Sequence, residues 1–413
     1  MKNFIKSLND QKMKKFKIIV ILLLAILFIE AIILGVKLID NRKNSTYYSV
    51  ANSAIKQDDI YLVAGGSDSK HSKKLKYISP GYIKPYIWVY DKNLKIVKEA
   101  SLSFGFSGSY NDIAILDDGY VAVGYIEANE SQNKSSISEG TIVKYDKDLK
   151  VVWRKNLNIL GDTKFNSVKI SDDGSIYVAG SSIYESDVIG NHSTGGAIIV
   201  KYSKTGEKEM VINYGGPKSG EFKDIVLTED GIVAVGSTTN GTGIIMKYNY
   251  AGEELWHNYY GYTDSEGLTS ITLYEDKYIV TGSKLEEKNK TDSYSAAILM
   301  FDSNGQLIKE EKYKKSKISK FTDSVVIADK IYVSALYGKK KENVLDNSSV
   351  IVVYSLFLEK EDEKDYHYNK TFSVRSLFND GNELYMAGFT NSKINSMRTN
   401  GLDYYQFIKK DTK

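Results

Sequence analysis

The chain has no cysteine in its 413 residues, which excludes disulfide staples, thiolate metal sites and thiol nucleophiles together. Arginine is confined to Arg42, Arg154, Arg375 and Arg398, a small supply for sites that grip carboxylate or phosphate bidentately. The histidines, His71, His192, His257 and His367, are scattered with no pair at metal-ligand spacing. No Gly-rich phosphate loop, G-x-S-x-G elbow or Walker pattern is present. From these absences we expect no cofactor, no metal and no catalytic residue. Helical periodicity is also missing, outside one N-terminal stretch.

That stretch is residues 18–36, IIVILLLAILFIEAIILGV, interrupted only by Glu30 and long enough to cross a bilayer as a helix. Lys2, Lys6, Lys12, Lys14, Lys15 and Lys17 precede it, so the positive-inside rule places the N-terminus in the cytoplasm and everything after the run outside. The small-residue cleavage pattern of a signal peptide does not follow. The expected organisation is therefore a cytoplasmic tail at 1–16, a transmembrane signal-anchor helix at 17–38, a linker or closing strand at 39–46, and an extracytoplasmic domain at 47–413. The formal charge of +3 is concentrated at this basic end. What remains is close to neutral and lacks the basic patch that a phosphate backbone requires, so nucleic acid is not an expected partner.

What the domain does contain is a repeat. FNSVKIS (165–171) leads to Asp172-Asp173-Gly174, then SIYVAGS (175–181), a loop, AIIVKY (197–202), a Ser-Lys-Thr-Gly turn and EKEMVINY (207–214). A small residue recurs at Gly65, Gly124, Gly180, Gly236, Gly282, Ala335 and Gly388, and an aromatic one at Tyr90, Tyr145, Tyr202, Tyr248, Phe301, Tyr354 and Phe407. Short runs rich in Val, Ile and Tyr between Asp-Gly, Asn-Gly and Thr-Gly turns read as antiparallel hairpins. Four such strands in each unit of about 50 residues match a propeller blade. The fold expected is thus all-β: a seven-bladed β-propeller of four-stranded antiparallel blades, preceded by one transmembrane helix. The recurrent Gly is expected to let neighbouring blades approach near the axis. Because the chain ends soon after the third strand of the last unit, residues 41–46 are expected to supply its fourth.

The stretches NYGGPKSGEFKDIVLTEDGIVAVGSTT (213–239) and TIVKYDKDLKVVWRKNL (141–157) resemble the secreted and surface propeller repeats of bacteria. Those repeats read Y-G-G, then F-x-S/D-V/I, D-G-x-Y-V-A-G-x-T and I-V-K-Y-D-x-x-G-x-x-x-W. The resemblance spans nearly all of 47–413, fades in the last two units, and implies an exported propeller without assigning any catalytic position. Sialidase boxes and the tryptophan motifs of quinone-dependent propellers are not recognisable in a chain with three Trp.

The acidic turns and the sequences Asp91-Lys-Asn93, Asp146-Lys-Asp148 and Asp302-Ser-Asn304 read as Asx and tight turns rather than calcium sites. Trp153 and Trp256 read as packing between blades. Function is then expected in variable loops held by a rigid scaffold, with Tyr82, Glu127, Tyr184, Glu185, Asp187, His192, Asp292 and Tyr294 as candidate binding residues on the top face. The expected role is a binding or scaffolding module for an envelope protein or glycan. A glycan-acting hydrolase or lyase, or a structural spacer in a membrane complex, are the alternatives.

Overall fold

A computed structural model describes residues 48–67, 83–102, 107–127, 138–157, 162–185, 193–215, 220–261, 267–286, 293–341, 344–366, 371–390 and 405–411. All belong to the larger of two compact units, Tyr47–Ser69 with Ser79–Lys413. The strands follow in antiparallel meanders. The first holds β1 (Ser49–Gln57), β2 (Ile60–Ser67), β3 (Lys84–Asp91) and β4 (Ile96–Ser101). Next come β5 (Gly108–Leu116), β6 (Gly119–Glu127), β7 (Ser138–Asp146) and β8 (Val151–Leu157). They are followed by β9 (Thr163–Ile170), β10 (Ile176–Glu185), β11 (Ser193–Tyr202) and β12 (Lys208–Tyr214). Then come β13 (Glu221–Thr228), β14 (Gly231–Ser237), β15 (Gly243–Asn249) and β16 (Glu254–Tyr260). β17 (Gly267–Tyr274), β18 (Lys277–Leu285), β19 (Tyr294–Phe301) and β20 (Leu307–Tyr313) make the next run. β21 (Ile318–Ile327), β22 (Lys330–Lys341), β23 (Val344–Ser355) and β24 (Lys360–Tyr366) precede the final β25 (Phe372–Asp380), β26 (Glu383–Thr390) and β27 (Tyr405–Lys410).

The expectation of seven separate four-stranded blades behind a transmembrane helix is overturned. The described strands form six hydrogen-bonded sheets: four of four strands, one of eight and one of three. The eight-stranded sheet arises where β19 and β21 share a parallel bridge, Tyr294 to Ile318. The last sheet ends at β27, with no fourth strand among the described residues. The repeat marks the strands within each unit, so it carried no information on a bridge between one unit and the next. No helix among the described residues is long and apolar enough to cross a membrane. The apolar run 18–36 and the segment 41–46 lie outside the described residues.

Second and third strands read as continuous apolar runs because both of their faces are covered. β14 (GIVAVGS) and β19 (YSAAILMF) are buried along their whole lengths. The outer strands are mostly exposed. Each hydrophobic cluster is shared by two successive meanders, as when Leu62 and Ile87 pack with Tyr110 and Val143. One cluster joins the last sheet to the first, with Phe378, Tyr385 and Ile408 against Tyr61, Val63 and Trp88. The fold is a β-propeller closed by side-chain packing.

Each innermost strand carries a bulge at the same place. The register skips Asn52, Asn111, Asn166, Lys223, Thr269, Thr322 and Arg375. The recurrent glycine pairs with the residue just before the bulge, as Gly236 does with Phe222. A Cβ on Gly236 would lie 1.9 Å from the Glu221 carbonyl oxygen. The close approach that selects glycine is therefore made within one sheet, by its own kinked inner strand, and not by the neighbouring blade as the sequence suggested. A bulge bends its strand, and here it pushes a carbonyl into the space of the partner's side chain.

A second rule governs the turn before each outer strand, where one residue is left-handed. Leu94, Leu149 and Leu358 hold φ of 58°, 61° and 55°, while Gly206, Gly252 and Gly305 hold 84°, 88° and 80° at the same position. Where glycine stands, the preceding sheet's outer strand covers it with a large side chain. A Cβ at Gly206 would meet Trp153 at 3.0 Å, one at Gly252 would meet Met210 at 3.1 Å, and one at Gly305 would meet Trp256 at 2.6 Å. Where leucine stands, the outer strand presents lysine instead. Lys98 bonds Asp148 beside Leu149 at 3.0 Å, and Lys309 donates to the Phe357 carbonyl beside Leu358 at 2.9 Å. The tryptophans thus pack between neighbouring sheets.

Candidate functional site

The innermost strands β1, β5, β9, β13, β17, β21 and β25 surround a cavity of about 560 Å³. The residue after each bulge alternates between serine and aspartate: Ser53, Asp112, Ser167, Asp224, Ser270, Asp323 and Ser376. The alternation builds a belt. Ser53 Oγ donates to Asp112 at 2.7 Å, Ser167 Oγ to Asp224 at 2.8 Å, and Ser270 Oγ to Asp323 at 2.8 Å. The second oxygen of each aspartate accepts the next strand's amide: Val168 on Asp112 (2.8 Å), Ile271 on Asp224 (3.0 Å) and Leu377 on Asp323 (2.7 Å). The Ala54 amide, donating to Ser376 Oγ at 3.2 Å, joins the first strand to the last. Every adjacent pair of inner strands is linked through this belt.

The bulge residues make a second tier. Asn52, Asn111 and Asn166 donate to the carbonyls of Tyr110, Phe165 and Phe222 at 2.8, 2.8 and 2.9 Å. Thr269 and Thr322 donate to those of Phe321 and Val374 at 3.0 and 3.1 Å. At the two remaining positions the chain places cations. Lys223 lies 3.6 Å from Glu221, and the Arg375 guanidinium lies 5.3 Å from the centre of the Phe389 ring.

The electrostatics of the belt follow from enclosure. Lys169 lies 3.8 Å from Asp112 and 3.5 Å from Asp224, with its side chain 38% exposed. Burial opposes its charge, but Asp224, Asp112 and Asp323 outweigh burial and hold the ammonium above the usual lysine range. Asp323 lies farthest from compensation. Burial pushes its carboxyl up to about 7, assisted by repulsion from Asp224, against the hydrogen bonds from Leu377, Ser270 and Ser324 that favour the charged form.

Of the candidate top-face residues, Tyr82, Asp187, His192 and Asp292 lie outside the described residues. Tyr184 and Glu185 end β10, paired with Thr194 and Ser193. Glu127 ends β6, half-buried, opposite Ser138. Tyr294 opens β19, is buried, and has Lys320 5.5 Å from its ring centre. The described members stand at strand ends of three meanders, on β6, β10 and β19. His257 is exposed on β16, with Nδ1 2.6 Å from Glu254. The acidic sequences at 91, 146 and 302 are Asx turns, each aspartate accepting two backbone amides at 2.8–3.0 Å. No cluster of metal-ligating side chains occurs among the described residues.

The channel residues escaped sequence reading because each repeat spends only two polar residues on them. Their signal was the S/D of the F-x-S/D-V/I motif, whose alternation from one repeat to the next marks a donor-acceptor ring.

No family model and no curated protein matches this chain. Solved structures do. The WD40 domain of Neurospora crassa Pan2 aligns over 84% of this chain and 87% of its own at 10% identity, with a TM-score of 0.51. The Dos1 propeller aligns over 83% and 91% at 10% identity, with a TM-score of 0.48. Chaetomium thermophilum Sqt1, in a structure bound to the N-terminus of ribosomal protein L10, aligns over 89% and 97% at 11% identity, with a TM-score of 0.48. The Pan2 likeness agrees with the class of protein that the sheets define, a β-propeller, and extends to the fold alone.

Proposed function

We propose that this chain is a binding or scaffolding propeller of the bacterial surface-repeat type, held at the membrane of a Gram-positive envelope by its N-terminal apolar segment, with the propeller outside. Its partner is an envelope protein or glycan taken up by the connections between second and third strands. The supporting observation is where length varies. The connection is short between Ser237 and Gly243 and nearly absent between Lys341 and Val344, yet long from Ser67 to Lys84 and from Thr390 to Tyr405. The turns at the opposite end keep one size and one hydrogen-bond pattern, such as Leu94 to Asp91, Leu149 to Asp146 and Leu358 to Ser355. A scaffold that conserves one end of its strands and diversifies the other displays its specificity at the diversified end.

The test is affinity capture from solubilised envelope with the full chain in detergent, beside a form whose 182–196 and 284–296 loops are replaced by Gly-Ser. One protein or glycan should be enriched by the intact chain and lost with the shortened loops. Capture that survives both replacements would place the contact elsewhere and favour the spacer role. Turnover of a glycan without retention would favour the hydrolase or lyase.

A further inference from the structure

The bulge tier of the channel obeys one rule with two departures. Asn52, Asn111, Asn166, Thr269 and Thr322 each spend their side chain on the next strand's carbonyl. By the same geometry, Arg375 and Lys223 stand where a short amide or hydroxyl would close one more such link. Forgoing such a hydrogen bond costs stability, and local rules are broken most often where function requires it. Lys223 retains Glu221 as a neighbour. Arg375 has the Phe389 ring as its contact, and no carboxylate pairs with it among the described residues.

The rest of the lining is already committed. Asp112, Asp224 and Asp323 are occupied by serine hydroxyls and backbone amides, and Lys169 sits between the first two. The lining is mostly polar, with only a few half-buried aliphatic side chains, such as Ile55, Ile115, Ile170 and Val325, along it. A volume of about 560 Å³ lies within the range of about 300–1,000 Å³ typical of small-molecule sites.

We propose that the axial channel binds a small organic carboxylate, its carboxylate on the Arg375 guanidinium. The planar fork of arginine matches a carboxylate in two parallel hydrogen bonds, and stacking on Phe389 fixes the plane of that fork. A singly charged carboxylate suits this lining better than a dense phosphate dianion, which would bring two charges towards the three aspartates. The site lies among the inner strands and is independent of the loop face.

Ligand-observed NMR on the full chain in detergent tests it, with a panel of small aliphatic and aromatic carboxylates, the matching primary amides, and inorganic phosphate. Carboxylates should bind and their amides should not, and Arg375→Gln should weaken binding roughly tenfold or more with an unchanged melting temperature. If that variant does not fold, Arg375→Lys serves instead: it keeps the charge, loses the fork, and should still weaken carboxylate binding severalfold. Absence of any carboxylate hit, equal binding of acids and amides, indifference to both variants, or binding of phosphate alone would each overturn the proposal.

Discussion

Asp323 shows how position reshapes a single residue. Its carboxyl sits in the belt between Ser270 and the Leu377 amide, and burial raises its pKa to about 7, above the value near 3.9 of an unfolded aspartate. Between those values the folded chain holds a proton that the unfolded chain has lost. Stability therefore falls as pH rises, with the contribution fully present below about 4 and gone above about 7. The expected loss across that window is on the order of 4 kcal/mol. Asp323→Asn should remove this slope while imposing a fixed cost for the acceptor it gives up. Urea denaturation of both proteins at pH 5 and pH 7 checks it; equal pH dependence in the two would show that Asp323 stays charged throughout. None of this was legible in the sequence, where Asp323 is one of 52 acidic residues and burial is a property of the closed ring.

At the scale of the element, the chain couples two positions about 50 residues apart: glycine under Trp or Met, leucine beside Lys. The rule is steric. A leucine side chain at Gly305 would enter the space of the Trp256 ring, which an added Cβ already meets at 2.6 Å, whereas Leu358 is fully buried in its own version of the site. Gly305→Leu alone should cost about 3 kcal/mol through overpacking and left-handed backbone strain. Trp256→Lys alone should lose a similar amount by removing buried aromatic contact. The double change rebuilds the Lys309 and Leu358 arrangement, so it should be milder than the sum by about 2 kcal/mol. A double-mutant cycle by chemical denaturation measures this directly, and strict additivity would refute the coupling. The element pattern itself could be read from the Gly and aromatic ladders, because strands buried on both faces must spell continuous apolar runs. The bulges could not. A bulge residue such as Asn52 or Thr322 is a polar residue in a strand, and the skipped register is visible only when the partner strand is in place.

For the whole molecule, the repeat predicted a closed ring, and the segment expected to close it, 41–46, lies outside the described residues. Among the described residues no fourth strand pairs with β27. The join is made by the Ala54 to Ser376 belt link, by the Lys56 and Asp380 ion pair at 2.6 Å, by the Tyr61 hydroxyl on Asp380 at 3.2 Å, and by the shared core of Tyr61, Trp88, Phe378 and Tyr385. These contacts join residues more than 300 positions apart, so the cost of bringing the ends together is recovered only when the ring shuts. An open array of repeats loses stability roughly one repeat at a time. A closed ring shares each cluster between two sheets, and removing one sheet bares two clusters at once. Deleting residues 371–413 would expose Tyr61, Val63 and Trp88 on one side and Ile351 and Tyr366 on the other, and would break the belt at both Asp323 and Ala54. The truncated chain should therefore lose the whole propeller, seen as loss of near-ultraviolet circular dichroism from the tyrosines of every sheet and as earlier elution in size-exclusion chromatography. The intact chain should unfold in urea in one transition by fluorescence and circular dichroism alike. A truncated protein that keeps its near-ultraviolet signal and melts cooperatively would show that the sheets are stable as an open array, and that the belt is an ornament of the channel rather than its fastening.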